Sequence, residues 1–462
     1  MSAPSQASPL RAVLMAWALL ASASACATPA LVIDNVTVVD VRAGKLSGPR
    51  QVVVESAAIA AIRNPTNRRM PVAALHVDGH GAFLIPGLVD LHVHLFNNAS
   101  HRPPNDWMFA LFVVNGVTGV REMMTTVDEL PQVSRWRHAV EAGNLVAPRV
   151  LAAGVAVNGS GANEVRERVR EAAHAGADFI KVFSDVGAPQ WRAIIDEARR
   201  QHIRVSGHVP AGVPLLEAAR AGQVTAEHLL QVYEACSSLE TTALDARRGL
   251  DGAAAAALSE RQERAVLDAF DPAACKSAAQ ALAATRLAQV PTLVLNHNEA
   301  AGRVDTVADP RWRYLRNDEQ ARWRRVLDAV TPADTTLGKL REDISCRVVR
   351  TLHAAGVTVL AGTDSPMPRG YPGYALHDEL ELLAGCGLSS AQVLRAATLG
   401  ATELLGIEAS SGTVEVGKRA DLVLLDANPL ADVRNLRRIR AVVLGGRLLT
   451  GSDLARLIDE QP

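Results

Sequence analysis

The sequence predicts an α/β protein: a (β/α)8 TIM-type barrel with a small β-sandwich domain built from both chain ends. Three observations carry this reading. Strand-like and helix-like segments alternate through the middle of the chain, and they count out to eight strands. Short β-rich stretches open and close the chain around that middle. Histidine, lysine and aspartate recur at the ends of the strand candidates, where such a barrel places its active site.

The elements follow in chain order. Arg11 precedes an apolar stretch from Ala12 to Ala21, and small residues run on to Ala30. This reads as an export signal, residues 1–27, too short to span a bilayer as a stable helix. Ala23-Ser24-Ala25 suits cleavage after Ala25, and Ala25-Cys26-Ala27 suits cleavage after Ala27. Cys26 after small residues also fits a lipoprotein, although Ala23 stands where a leucine is usual. The expected location is therefore periplasmic or secreted, with membrane contact only through a lipidated Cys26. Residues 28–83 and 408–455 form the expected sandwich, from runs such as Leu31–Asp40, Gln51–Val54, Gly417–Asp426 and Ala441–Arg447. Residues 84–407 form the barrel. Its strands are read at Leu84–His94, Gly116–Glu122, Arg149–Val157, Asp178–Ser184, Ile203–Val209, Val224–Leu229, Pro291–Asn296 and Val357–Asp364. Helical patterns such as Glu164–Ala175 and Gln190–Gln201 lie between them, and Gly176, Gly222 and Gly356 sit where helix C-caps belong. Insertions of about 60 residues precede the seventh and the eighth strands and are expected to form rim and lid.

Composition excludes several function classes. The 462 residues carry a formal net charge of -1, so binding to nucleic acid or an anionic membrane through bulk charge is not expected. No GxxxxGK[ST] run suggests a nucleotide-dependent enzyme. Four cysteines follow Cys26, none in a CxxC pair, which speaks against a structural zinc site. Cys236 and Cys275 lie in one insertion and suit a disulfide in an oxidising compartment; four buried thiols are the alternative.

The chemistry begins at Gly87-Leu88-Val89-Asp90-Leu91-His92-Val93-His94. On a strand, residues i and i+2 share a face, so His92 and His94 project together and can grip one metal ion. Lys181, His208, His228 and Asp364 stand at or near later strand ends. Four imidazoles and a carboxylate suit zinc. A lysine in an apolar strand is costly to bury charged; as a free amine it can take up carbon dioxide and become a carbamate. The set then divides into His92, His94 and Asp364 on one ion and His208 and His228 on a second, with Lys181 across both. The plainer alternatives are satisfied core histidines, Asp364 as a helix N-cap, and Lys181 paired with Asp364 or Asp185. Arg121 reads as the partner of an acidic barrel residue. His297 and His377 are ambiguous, and His138, His174, His202 and His353 read as solvated helix faces.

These residues carry a resemblance. Ile85–His94, Gly116–Glu122, Phe179-Ile180-Lys181, Ser206-Gly207-His208, Glu227-His228, Gly362-Thr363-Asp364 and the stretch from Ala396-Ala397-Thr398 to Gly412–Leu422 are similar to the metal-dependent hydrolases of the amidohydrolase superfamily. The closer resemblance is to its imidazolonepropionase-like and Xaa-Pro or Xaa-Arg (prolidase-like) dipeptidase branch, over roughly Leu31 to Leu449. The resemblance implies two zinc ions bridged by a carboxylated Lys181, and Asp364 as general base and proton shuttle. It also implies a substrate contact from Tyr233. True imidazolonepropionases lack this lysine, which argues against that activity. Where many relatives carry a Gly-Gly-His segment, this chain has Asn158–Asn163. The expected activity is hydrolysis of a small-molecule amide, a dipeptide or N-acyl amino acid, by a hydroxide bridging the two metals. The alternatives are a cyclic amide, lactone or ester, amide-linked toxins included, and a non-catalytic envelope binding protein. A homo-oligomer is left open.

Overall fold

The structure is a computed structural model that describes residues 30–65, 74–96, 103–302 and 306–460. The expected export signal, with Arg11 and Cys26, lies outside them. Strands from both ends of the chain pair into one eight-stranded sheet. Phe83–Pro86 lies at its join, parallel to Leu31–Asp40 on one side and antiparallel to Leu422–Leu425 on the other. Alternating Val, Ile and Leu on these strands, Leu31, Ile33, Val52, Val54, Leu84, Leu422 and Leu424 among them, pack into a separate apolar core.

The first barrel strand read from sequence is thus two strands. Residues 84–86 pair in the terminal sheet, and the barrel begins after Gly87. A side chain at Gly87 would put its Cβ 2.0 Å from Thr118 Oγ1, so only glycine lets the chain cross there. The barrel strands are β1 Leu88–Val93, β2 Val117–Thr125, β3 Arg149–Ala156, β4 Phe179–Val182, β5 Arg204–Gly207, β6 Thr225–Glu227 and β7 Ala288–Val290. β1 to β5 form one parallel sheet in sequential order, and β6 pairs with β7. The Val224 amide donates to Val205 O at 2.8 Å and links the two groups. The segment 357–365 closes the ring with isolated bonds: Leu360 N to Gln289 O at 2.9 Å and Leu91 N to Ala361 O at 3.1 Å. This eighth segment makes single parallel bridges instead of a continuous strand.

The seventh strand differs from expectation. It spans Ala288–Val290, and Leu293–Ala300 is a helix. Leu293 and Val294 are buried on a short helix that starts after Thr292, and an apolar run of that length fits either element. The helices expected at Glu164–Ala175 and Gln190–Gln201 are found at Ala162–His174 and Ala188–Arg200. Gly222 ends the helix Leu215–Ala221 at φ +90°, a left-handed C-cap.

Two disulfides fasten the insertions. Cys236–Cys275 is the bond the spacing suggests; Cys346–Cys386, unforeseen, ties the long helix Pro332–Ala354 to the region after Tyr374–Gly385. The four-thiol alternative is therefore not what the fold shows. Among the described residues no helix is long and apolar enough to cross a membrane.

His377 has no part in the barrel mouth. It is buried on Tyr374–Gly385 and its Nε2 donates to Asn115 O at 2.9 Å. Burial, helped by Arg437, lowers its pKa from 6.5 to about 4. Between those values the unfolded chain binds a proton that the folded chain refuses, so stability is lost as pH falls through this window. His377→Gln removes the titration, and from pH 7.5 to 5 the variant should gain about 2 kcal/mol relative to the parent. Urea unfolding at the two pH values checks this; parallel losses in both proteins would refute it.

Candidate active site at the barrel mouth

β1 delivers His92 and His94 to one place, as the period of two requires. Their ring centroids are 5.3 Å apart, and both turn Nε2 toward Asp364 Oδ1, at 3.1 Å and 2.7 Å. His228, just past β6, stands 4.7 Å from the His92 ring and 4.9 Å from that of His208, just past β5. Lys181 projects from β4, wholly buried, with no hydrogen-bond partner for Nζ and the Phe183 ring 5.0 Å away. All six residues converge, and no ion pair from Lys181 to Asp364 or Asp185 is found among the described residues. Ligand atoms of His92, His228 and Asp364 lie within 4.8 Å of one another.

Each ring is held from behind. His92 Nδ1 is 2.9 Å from Glu227 Oε2, which leaves Nε2 for the site. Glu227 is fully buried and also takes Arg121 Nη2 at 2.9 Å, so Arg121 pairs with an acidic barrel residue as expected. Burial alone would raise the Glu227 pKa, but Arg121 and His92 drive it far below the usual carboxylate range. His228 Nδ1 is 2.7 Å from Thr292 Oγ1. His208 differs: its Nδ1 accepts from the Ser184 amide at 3.2 Å. Asp90 accepts from Thr363 Oγ1 at 2.7 Å and from the Thr363 and His92 amides at 3.1 Å each, locking the two backbones that carry His92 and Asp364. Burial lifts its pKa to about 7. Glu122 is likewise buried, raised to about 7, and accepts from the amides of Leu95 and Met124.

Glu227, Thr292, Asp90 and Glu122 are supports that the sequence reading assigned no role. The available signal was a charged or hydroxyl side chain inside an apolar strand, as at Asp90 and Glu227. Thr292 carried no such signal.

The electrostatics favour neutral rings at His208 and His228 and an ionised aspartate. Burial lowers the pKa of His228 to about 3 and that of His208 well below 6.5. Burial would raise Asp364, but its contacts with His92, His228 and His94 hold it well below the usual range. Burial lowers Lys181 from 10.5 to about 8, which enlarges its share of free amine near neutrality. The backbone is strained here as well: Asp364, His228 and Thr292 adopt φ of +63°, +64° and +46°. Such conformations persist only where the surroundings impose them, and they cluster at functional sites. Gly207, at φ +121°, approaches so closely that a Cβ would lie 2.7 Å from Lys181 Cδ and 2.4 Å from Val182 O.

A cavity of about 350 Å³ opens beside this cluster, reaching His208, His228 and Asp364. The insertions wall it, through Glu260 and Glu263 of helix Gly252–Asp268 and Arg341 of Pro332–Ala354. Tyr233 lines it too, but its hydroxyl is engaged with Ser345 Oγ at 2.8 Å and Asn296 Nδ2 at 3.1 Å. Arg341 is engaged by Glu263 at 2.7 Å and 2.8 Å and by Glu299. His297 lies at the surface against Glu342; His138, His174 and His202 are exposed and His353 is half-buried.

Comparison with known proteins agrees with this geometry. The sequence model of the amidohydrolase family matches residues 83–449. A bottromycin amidohydrolase structure is 25% identical, with a TM-score of 0.71 over 94% of this chain and 90% of that one. A Xaa-Pro dipeptidase with bound methionine in its active site shares the fold, at 17% identity and a TM-score of 0.65 over 91% of this chain and all of that one (100%). The N-acetylglucosamine-6-phosphate deacetylase of Homo sapiens is 33% identical over 106 residues, 23% of this chain; the chain spans only 22% of that relative's length. The fold neighbours imply a TIM-type barrel, in keeping with the curled parallel sheet, and the family match covers the barrel and every residue of the cluster: the chain belongs to the amidohydrolase family.

Proposed function

We propose that the protein is a metal-dependent hydrolase that cleaves the amide bond of a dipeptide or N-acyl amino acid, with Asp364 as general base and acid. The observation that carries this is the convergence of His92, His94, Lys181, His208, His228 and Asp364 at one end of the barrel, facing a cavity. The donor set fits two divalent cations, zinc by preference: four imidazoles, an ionised carboxylate, and a buried lysine amine without a hydrogen-bond partner. His92, His94 and Asp364 would hold one ion and His208 and His228 the other, with carboxylated Lys181 across both. A metal pair there supplies Lewis acidity, both for activating water and for polarising the scissile carbonyl.

The chain's own residues do the rest. Asp364 Oδ1 takes the proton of the attacking water and returns it to the leaving nitrogen. Thr363, held by buried Asp90, fixes the backbone that aims that oxygen. Glu227 and Thr292 fix the rings of His92 and His228. The cavity seats the substrate, and Tyr233 shapes its wall.

The test is a library of dipeptides and N-acyl amino acids offered to zinc-loaded protein, with free amino-acid release as readout. Acidic, neutral and basic side chains should all be included, because glutamates and Arg341 face the cavity. Release from at least one class, absent from chelated protein, is the expected result. Silence from protein holding two zinc ions would shift the reading to cyclic amides, lactones or esters.

A further inference from the structure

We infer that Glu379 is a positioning residue that sets the tautomer of His228 and the wall of the cavity. It rests on the reading of His228 as a metal ligand. Glu379 lies on Tyr374–Gly385 and is fully buried. Its Oε2 accepts the Val294 amide at 2.8 Å, and the Leu293 amide turns to the same carboxylate. These are the first amides of the helix Leu293–Ala300, which have no partner inside the helix.

The residue at the N-cap of that helix is Thr292, a type that normally caps with its own hydroxyl. Here it makes no cap hydrogen bond. Its hydroxyl donates to Pro291 O at 2.8 Å and lies 2.7 Å from His228 Nδ1. A hydroxyl has one proton to give. With that proton on Pro291 O, Thr292 must accept from His228, which places the imidazole proton on Nδ1 and leaves Nε2 bare for an ion. Glu379 makes this arrangement affordable: it caps the helix, so the hydroxyl of Thr292 is free to serve His228. The same helix carries Asn296, which donates to Tyr233 Oη at 3.1 Å and Ser345 Oγ at 2.9 Å. One buried carboxylate thereby registers a ligand ring and the cavity wall together.

Without Glu379, the hydroxyl of Thr292 can swing to the orphaned amides, and His228 loses its fixed tautomer. Glu379→Ala should weaken zinc binding about 10- to 100-fold in chelator competition, the range seen when an outer partner of a ligand is removed. It should also change the visible spectrum of the cobalt(II)-loaded protein. Glu379→Gln keeps an acceptor oxygen and should stay within about threefold of the parent. Thr292→Val should weaken zinc as Glu379→Ala does, and the double variant should lose less than the two losses multiplied. A Glu379→Ala protein that melts lower without metal, yet binds zinc with parental affinity and an unchanged cobalt spectrum, would overturn the inference and leave Glu379 a purely structural cap. His228→Asn separates the two readings: if it too leaves zinc affinity unchanged, His228 is not a ligand and the reading beneath the inference fails.

Discussion

Asp364→Asn is expected to lower kcat about 1,000-fold, within the range that general acid–base groups contribute. The substitution conserves volume and keeps an oxygen for His94 Nε2, now 2.7 Å away, and for His92 Nε2 at 3.1 Å. It removes the ability to take and return a proton. Two devices make this position exacting. The backbone at Asp364 is left-handed, φ +63°, and its amide donates to His92 O at 2.8 Å. Thr363, its neighbour, is bolted to buried Asp90. The side chain is therefore aimed from the same framework that aims His92, and a loss of turnover would report chemistry instead of displacement. Metal analysis of the variant completes the test: most of the zinc should remain, because the imidazoles and Lys181 are untouched. Turnover within tenfold of the parent would remove Asp364 from the role of proton carrier.

What the sequence disclosed and what it withheld have a common physical origin. His92 and His94 were legible because a strand has a period of two, and that rule needs no tertiary information. Lys181, His208, His228 and Asp364 were legible because parallel barrel strands end on one side, so position within a strand is position in space. The supports were not. Glu227 reaches His92 across 135 positions and Thr292 reaches His228 across 64, so neither pairing leaves a local trace. Strand limits failed where pairing is thin. The segment 357–365 makes single bridges, and Leu293 and Val294 look the same on a buried helix as on a buried strand. The second disulfide was hidden because Cys346 and Cys386 lie on either side of the eighth barrel segment, whereas Cys236 and Cys275, spanning nearly the same distance, share one insertion.

Lys181 offers the other large effect. Lys181→Met should abolish most turnover, about 1,000-fold or more, and should lower the metal content from two ions toward one, because a bridging anion is lost from between them. The argument starts from cost. A fully buried ammonium without a hydrogen-bond partner is expensive; among the described residues the Phe183 ring lies 5.0 Å away, and the carboxylates of Glu227 and Asp364 act on it only through space. Burial already lowers the amine to about 8. A free amine can attack carbon dioxide: the C–N bond forms, a proton leaves, and a carbamate with two oxygens replaces the unpartnered nitrogen. On the proposed reading the residue would then change from a buried cation into an anion facing the ions it would help to hold, and the cost would become a gain. Gly207 keeps the passage for this side chain, since any Cβ there would collide with Lys181 Cδ. Lys181→Arg should fail as badly as methionine, because a guanidinium stays charged and cannot be carboxylated. The parent protein, exchanged with ¹³C-bicarbonate, should show a carbamate carbon resonance that both variants lack. Two metals and near-parental turnover in Lys181→Met would mean that the buried amine serves packing alone.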